Sequence, residues 1–82
     1  MNENKQFPEL PRSGVSGVTY DRKTGRWRVQ MVYNKKHYSL GGYKNLTKAV
    51  WARYRKEQEL AGNQLYIGYS PAERYLRDKG LL

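Results

Sequence analysis

At 82 residues and 9.7 kDa the chain has room for one small domain. Hydrophobic residues make up 38% and cysteine is absent, so no large core, disulfide or thiolate zinc site reinforces it. Sixteen Lys and Arg against seven Asp and Glu leave a net charge of +9, and no apolar run approaches the ~20 residues that span a bilayer. Stability must come from packing, with eight tyrosines, two tryptophans and Phe7 as the filler.

Residues 1–12 carry Pro8 and Pro11, no periodicity and balanced charges (Lys5 and Arg12 against Glu3 and Glu9). They read as a flexible arm that Phe7 and Leu10 can pin to the domain. The arm has no apolar signal-peptide segment, so a cytoplasmic protein is expected. Residues 13–62 hold the charge excess. Eleven basic side chains there face only Asp21, Glu57 and Glu59, whereas residues 63–82 are close to neutral. Such clustering points to a polyanionic partner, nucleic acid before an anionic membrane.

From Gly14 to Gly42 the pattern alternates with period two. Trp27, Val29, Met31 and Tyr33 share one side of a strand over Arg26–Tyr33, with Arg26, Arg28, Gln30 and Val32 opposite. Val18 and Tyr20 before it, and Tyr38 and Leu40 after it, extend the apolar face. Thr19, Asp21, His37 and Ser39 extend the polar one. Arg22-Lys23-Thr24-Gly25 is the first turn, its glycine suited to a left-handed residue. Asn34-Lys35 is the second, although Lys35 is a mediocre second residue for a type I′ turn. Gly41-Gly42 is expected to break the third strand.

Asn45 caps a helix from Leu46 to about Ala61, stopped by Gly62 and Asn63. Ala49, Val50 and Tyr54 define its inner side, with Leu46 and Leu60 or Ala61 at the ends. Trp51 lies on a flank that the pattern does not assign. A Tyr-rich link, Gln64–Tyr69, leads to a second helix over about Pro71–Lys79. There Ser70 caps, Pro71 opens the first turn, Glu73 completes a capping box and Gly80 ends the helix. Tyr75 and Leu76 can dock it on the core. The expected fold is α+β: a three-stranded antiparallel sheet packed on one long helix, with a short C-terminal helix. The expected divisions are 1–12 (arm), 13–62 (domain) and 63–82 (link and helix).

The polar face suits duplex DNA, whose major groove admits a two-stranded ribbon. Arg28 sits mid-strand, and its fork matches guanine O6 and N7. The Gln30 amide matches the adenine edge. Arg22, Lys23 and Arg26 at the first turn, and Lys35 and Lys36 at the second, suit flanking phosphates. Asp21 opposes phosphate unless it pairs with Arg22 or Arg28, or accepts from a cytosine amine.

The run Ser16-Gly17-Val18-Thr19-Tyr20, then Gly25-Arg26-Trp27-Arg28-Val29-Gln30, then Tyr38-Ser39-Leu40-Gly41-Gly42-Tyr43, followed by an alanine-containing helix, resembles the APETALA2/ethylene-response-factor DNA-binding domain. It resembles most the phage and bacterial form, often fused to homing-type endonucleases. The likeness covers about Gly14 to Gly62. It implies a three-stranded sheet on one helix, with the sheet rather than the helix in the major groove. Thr19, Asp21, Arg26, Arg28, Gln30, Val32, His37 and Ser39 would then form the contact face, and Thr19, His37 and Ser39 join Arg28 and Gln30 as base-contact candidates. Plant members place arginines at the positions of Ser16 and Thr19 and an acid at Gln30. Their strand-three arginine and tryptophan are His37 and Ser39 here, so the plant base preference does not transfer. The endonuclease module has no counterpart.

His37 is the lone histidine, with no other ligands near it in sequence, and the carboxylates show no paired arrangement. No enzyme, cofactor or metal is expected. The expected function is a phage or mobile-element regulator or accessory factor that binds duplex DNA. A homodimer through Tyr66, Tyr69, Tyr75, Leu76 and the terminal Leu81-Leu82 is an open alternative to docking of that helix on its own core. The rivals are an inhibitor or adaptor gripping an acidic host protein, and a binder of structured RNA.

Overall fold

Three stretches with alternating apolar side chains form β1 (Val18–Asp21), β2 (Arg26–Tyr33) and β3 (Lys36–Tyr43), an antiparallel sheet in the order β1-β2-β3. Helix α1 (Leu46–Leu60) packs on this sheet, and α2 (Pro71–Asp78) packs on α1. This is the expected α+β architecture. The computed structural model describes residues 13–62 and 68–82. The expected arm with Phe7 and Leu10, the stop residue Asn63, and Tyr66 lie outside the described residues.

Both turns owe their form to local chemistry. Asp21 closes the first: its carbonyl accepts from Gly25 N at 2.8 Å and its Oδ1 from Lys23 N at 3.0 Å, with Gly25 at φ 69°. The second is a two-residue hairpin in which Asn34 (φ 52°) and Lys35 (φ 64°) are both left-handed, as a type I′ turn requires.

The third strand corrects one expectation. It runs through Gly41-Gly42 to Tyr43 instead of stopping there. Met31 pairs with Tyr38 and Gln30 with Ser39, but Arg28 pairs with Gly42, so β3 carries one extra residue opposite Val29. That is a β-bulge, and Gly41 meets its backbone demand at φ 97°. The bulge resets the alternation. Tyr43 becomes the partner of Trp27, packs against the core, and its hydroxyl donates to Leu40 O at 2.8 Å.

Val18, Val29 and Met31 from the sheet, Ala49 and Val50 from α1, and Ala72 and Leu76 from α2 are buried, together with Val15 from the lead-in. Alanines at 49 and 72 let backbones approach closely. Trp27, Leu40, Leu46, Trp51, Tyr54 and Tyr75 pack half-buried around them. Each large side chain contributes about 1.5–3 kcal/mol when fully buried. Val15 was not anticipated. Ser13 Oγ accepts from Val15 N at 2.9 Å, folding the lead-in onto the core.

Asn45 Oδ1 accepts from Lys48 N at 3.1 Å, and Ser70 Oγ from Glu73 N at 3.1 Å, so both expected caps are present. Glu73 does not complete a capping box. Its Oε2 accepts from Arg77 Nε at 2.9 Å and lies 2.8 Å from Nη2. The bond raises the Arg77 pKa above its ordinary value, and the guanidinium stacks 4.1 Å from the Tyr69 ring centroid. Helix α2 closes in a Schellman motif: Gly80 is at φ 74°, Gly80 N donates to Arg77 O at 3.0 Å and Leu81 N to Leu76 O at 2.8 Å.

Candidate nucleic-acid interface

The side of the sheet away from α1 is built by parity. Trp27, Val29, Met31 and Tyr33 turn toward the helix, so Arg26, Arg28, Gln30 and Val32 turn outward from β2, and all four are exposed. Thr19 from β1 and His37 and Ser39 from β3 join them, also exposed. Outward residues on one strand repeat every ~6.6 Å.

Cross-strand register gives this face relief. Arg28 stands between Thr19 and Gly42, and Gln30 beside Ser39, with Gln30 N donating to Gly17 O at 2.8 Å. The neighbours of the long central side chains are thus glycine, serine or threonine. Arg26, Arg28 and Gln30 rise as a ridge above a low floor. The bulge deepens that floor: Gly41 and Gly42 line a shallow depression of about 330 Å³ with Asp21, Arg26, Arg28 and Ser39. A Cβ at Gly42 would meet the Arg26 Cβ at 3.5 Å.

The electrostatics follow from the turns. Arg22 and Lys23 sit at one end of β2 and Lys35 at the other, roughly 23 Å apart for an eight-residue strand. Asp21, the single acid of this face among the described residues, acts as a turn former through its bond to Lys23 N. Its Oδ2 lies 3.9 Å from Arg28 Nη1, a loose pairing that leaves the Arg28 side chain 56% exposed. Lys36 is placed differently from the other cations. It shares the parity of Tyr38, pairs with Tyr33, and holds its Nζ 5.8 Å from the Tyr38 ring centroid, with Lys56 Nζ at 5.3 Å from the same ring. It belongs to the helix side.

Sequence reasoning missed the residues that brace this face from behind. Arg53 and Glu57 are buried, Arg53 Nε donating to Glu57 Oε2 at 2.9 Å. Arg53 Nη1 also donates to Gln30 O at 2.7 Å. The helix thereby holds β2 at the residue whose side chain stands in the centre of the outer face. Gly17, at φ 80°, leaves space for the guanidinium, since a Cβ there would collide with Arg53 Nη1 and Gln30 O. The available signal was spacing: Ala49, Arg53 and Glu57 recur every fourth residue on the inner stripe of α1.

Chemically, the outer face offers a planar double donor, an amide that both donates and accepts, two hydroxyls, an imidazole and one isolated aliphatic group. These groups match base edges, and the turn cations match phosphates. Among the described residues no three His, Cys, Asp or Glu side chains gather, and no helix is long and apolar enough to cross a membrane. Comparison with known proteins finds no matching family model, no matching curated protein and no matching solved structure.

Proposed function

We propose that this chain is a duplex-DNA-binding protein that lays the outer face of its sheet in the major groove and acts as a regulator or accessory factor of a phage or mobile element, in the cytoplasm of a bacterial host. The observation that carries the reading is the ridge of Arg26, Arg28 and Gln30 above a floor of Gly41, Gly42, Ser39 and Thr19, with cations at both ends. A ridge of this kind enters a groove, and its end charges meet the two bordering phosphate strands. The likeness to the APETALA2/ethylene-response-factor domain supports the same use of the sheet. Arg28 and Gln30 take the central base contacts, with Thr19, Ser39 and His37 at the flanks. Arg22, Lys23, Arg26 and Lys35 take phosphates.

One module typically buries ~600–1,000 Å² on DNA, which supports modest affinity. Self-association would strengthen it. Leu76 is committed to its own core and the Tyr75 hydroxyl lies 3.1 Å from Thr47 Oγ1, which leaves Tyr69, Leu81 and Leu82 exposed for such a contact.

Titration of duplex DNA against salt tests the reading. Affinity falls with a log–log slope near −0.9 per phosphate neutralised. Weak, salt-insensitive duplex binding beside tight binding of an acidic host protein would favour an inhibitor instead. Preference for a folded RNA over the duplex would favour RNA recognition.

A further inference from the structure

Val32 ends the outward row of β2. It is 54% exposed, the most exposed large hydrophobic side chain among the described residues, and every other outward residue of the sheet is polar or glycine. It sits two residues beyond Gln30 and four beyond Arg28 on the same strand face, ~6.6 Å and ~13 Å along the ribbon. Its cross-strand partner, His37, is itself exposed and leaves it uncovered. No second apolar side chain adjoins it on this face, so it is too small and too isolated to be a protein-docking patch.

Resting on the DNA-binding reading above, we propose that Val32 reads the 5-methyl group of a thymine. In the major groove that methyl is the one apolar feature on the base edges, and it is matched by an aliphatic side chain. The three outward residues then form an ordered reader: the Arg28 fork on a guanine, the Gln30 amide on an adenine, and Val32 on a thymine methyl. A spacing of ~6.6 Å between successive side chains sets consecutive contacts one to two base pairs apart. The preferred site therefore carries a required thymine, on the side of the adenine contact away from the guanine. Val32 is a specificity-determining residue whose partner is a methyl group and not a hydrogen-bonding edge.

The experiment selects bound duplexes from a random pool with the full chain, then replaces each thymine of the consensus by deoxyuridine, which removes only the methyl. Dissociation constants are measured for the wild type, Val32→Ala and Val32→Thr, the last retaining the β-branched shape that the strand prefers. Thermal melts confirm that each variant folds. One thymine position is expected at which deoxyuridine weakens wild-type binding about fourfold, the worth of one buried methyl. The same replacement costs Val32→Ala clearly less, because its shorter side chain keeps less apolar contact with the methyl. A consensus with no uridine-sensitive thymine, or a loss that persists undiminished in Val32→Ala, would overturn the assignment while leaving duplex binding intact. Failure of the pool to yield any bound duplex would overturn the DNA-binding reading itself, and this proposal with it.

Discussion

Arg28 projects from the middle of β2 with Thr19 on one side and Gly42 on the other, so nothing bulky limits its reach. Asp21 Oδ2 at 3.9 Å orients the guanidinium without capturing it. A bidentate contact to guanine contributes roughly 1–3 kcal/mol of discrimination. Replacing Arg28 by Ala should therefore relax sequence preference at one base pair by that amount, read in competition between the selected duplex and its single-base variants. Unchanged affinity and preference would remove Arg28 from the interface. On the proposed reading, Lys35 couples stability to binding in opposite directions. A left-handed backbone costs a non-glycine residue ~1–2 kcal/mol, partly offset by the entropy that glycine loses on folding. Lys35→Gly is expected to stabilise the fold by about 0.5–1 kcal/mol in urea denaturation. It should also lower duplex affinity evenly across sequences and reduce the salt slope by about 0.9.

At the scale of elements, the sheet and helix are joined by the buried Arg53–Glu57 pair and its bond to Gln30 O. Glu57 Oε1 has no hydrogen-bond partner among the described residues. Two charges in a dry setting are costly, and removing one partner strands the other. Arg53→Met and Glu57→Leu should each destabilise by about 3–5 kcal/mol, while the double replacement should cost only about 1–3 kcal/mol, the part that remains because the Gln30 carbonyl loses its Arg53 donor. Chemical denaturation of all three variants reads this directly. Gly17 offers an internal control. Gly17→Ala forces a Cβ into Arg53 and the Gln30 carbonyl, whereas Gly25→Ala, also at positive φ, meets nothing nearer than Tyr20 Oη at 3.8 Å. Both substitutions strain the backbone, and the first should cost clearly more in the same assay. These features also mark where sequence legibility ended. The alternation Trp27, Val29, Met31, Tyr33 and the Asn45 and Ser70 caps are local patterns, and each appears where its residues require. The bulge was not legible because Gly41-Gly42 is equally a strand end or a bulge until the Arg28–Gly42 pairing decides. Burial of Arg53 and Glu57 depends on a carbonyl more than twenty residues away, a coincidence of packing that no local window contains.

For the whole molecule, a charge of +9 on 82 residues works against compaction, and the fold distributes it unevenly. The outer face has Arg26 and Arg28 with Arg22, Lys23 and Lys35 at its ends. The helix side has Lys36 and Lys56 on Tyr38, and Arg55 with its Cζ 5.6 Å from the Trp51 ring centroid. Lys48, Trp51 and Arg55 also line a depression of about 280 Å³ with Tyr43 and Ala52, a competing cationic surface on α1. Charge alone therefore does not choose between the two sides. Relief is what favours the outer face in the proposed reading: it raises its polar side chains above glycines, while the helix face lays its cations over aromatic rings. The most direct test is an amide chemical-shift map of the labelled chain titrated with a short duplex at low salt. Shifts concentrated on Thr19, Arg26, Arg28, Gln30, Ser39 and the two turns, with Lys48, Trp51 and Arg55 unmoved, are the predicted result. Shifts centred on α1, with β2 silent, would contradict it.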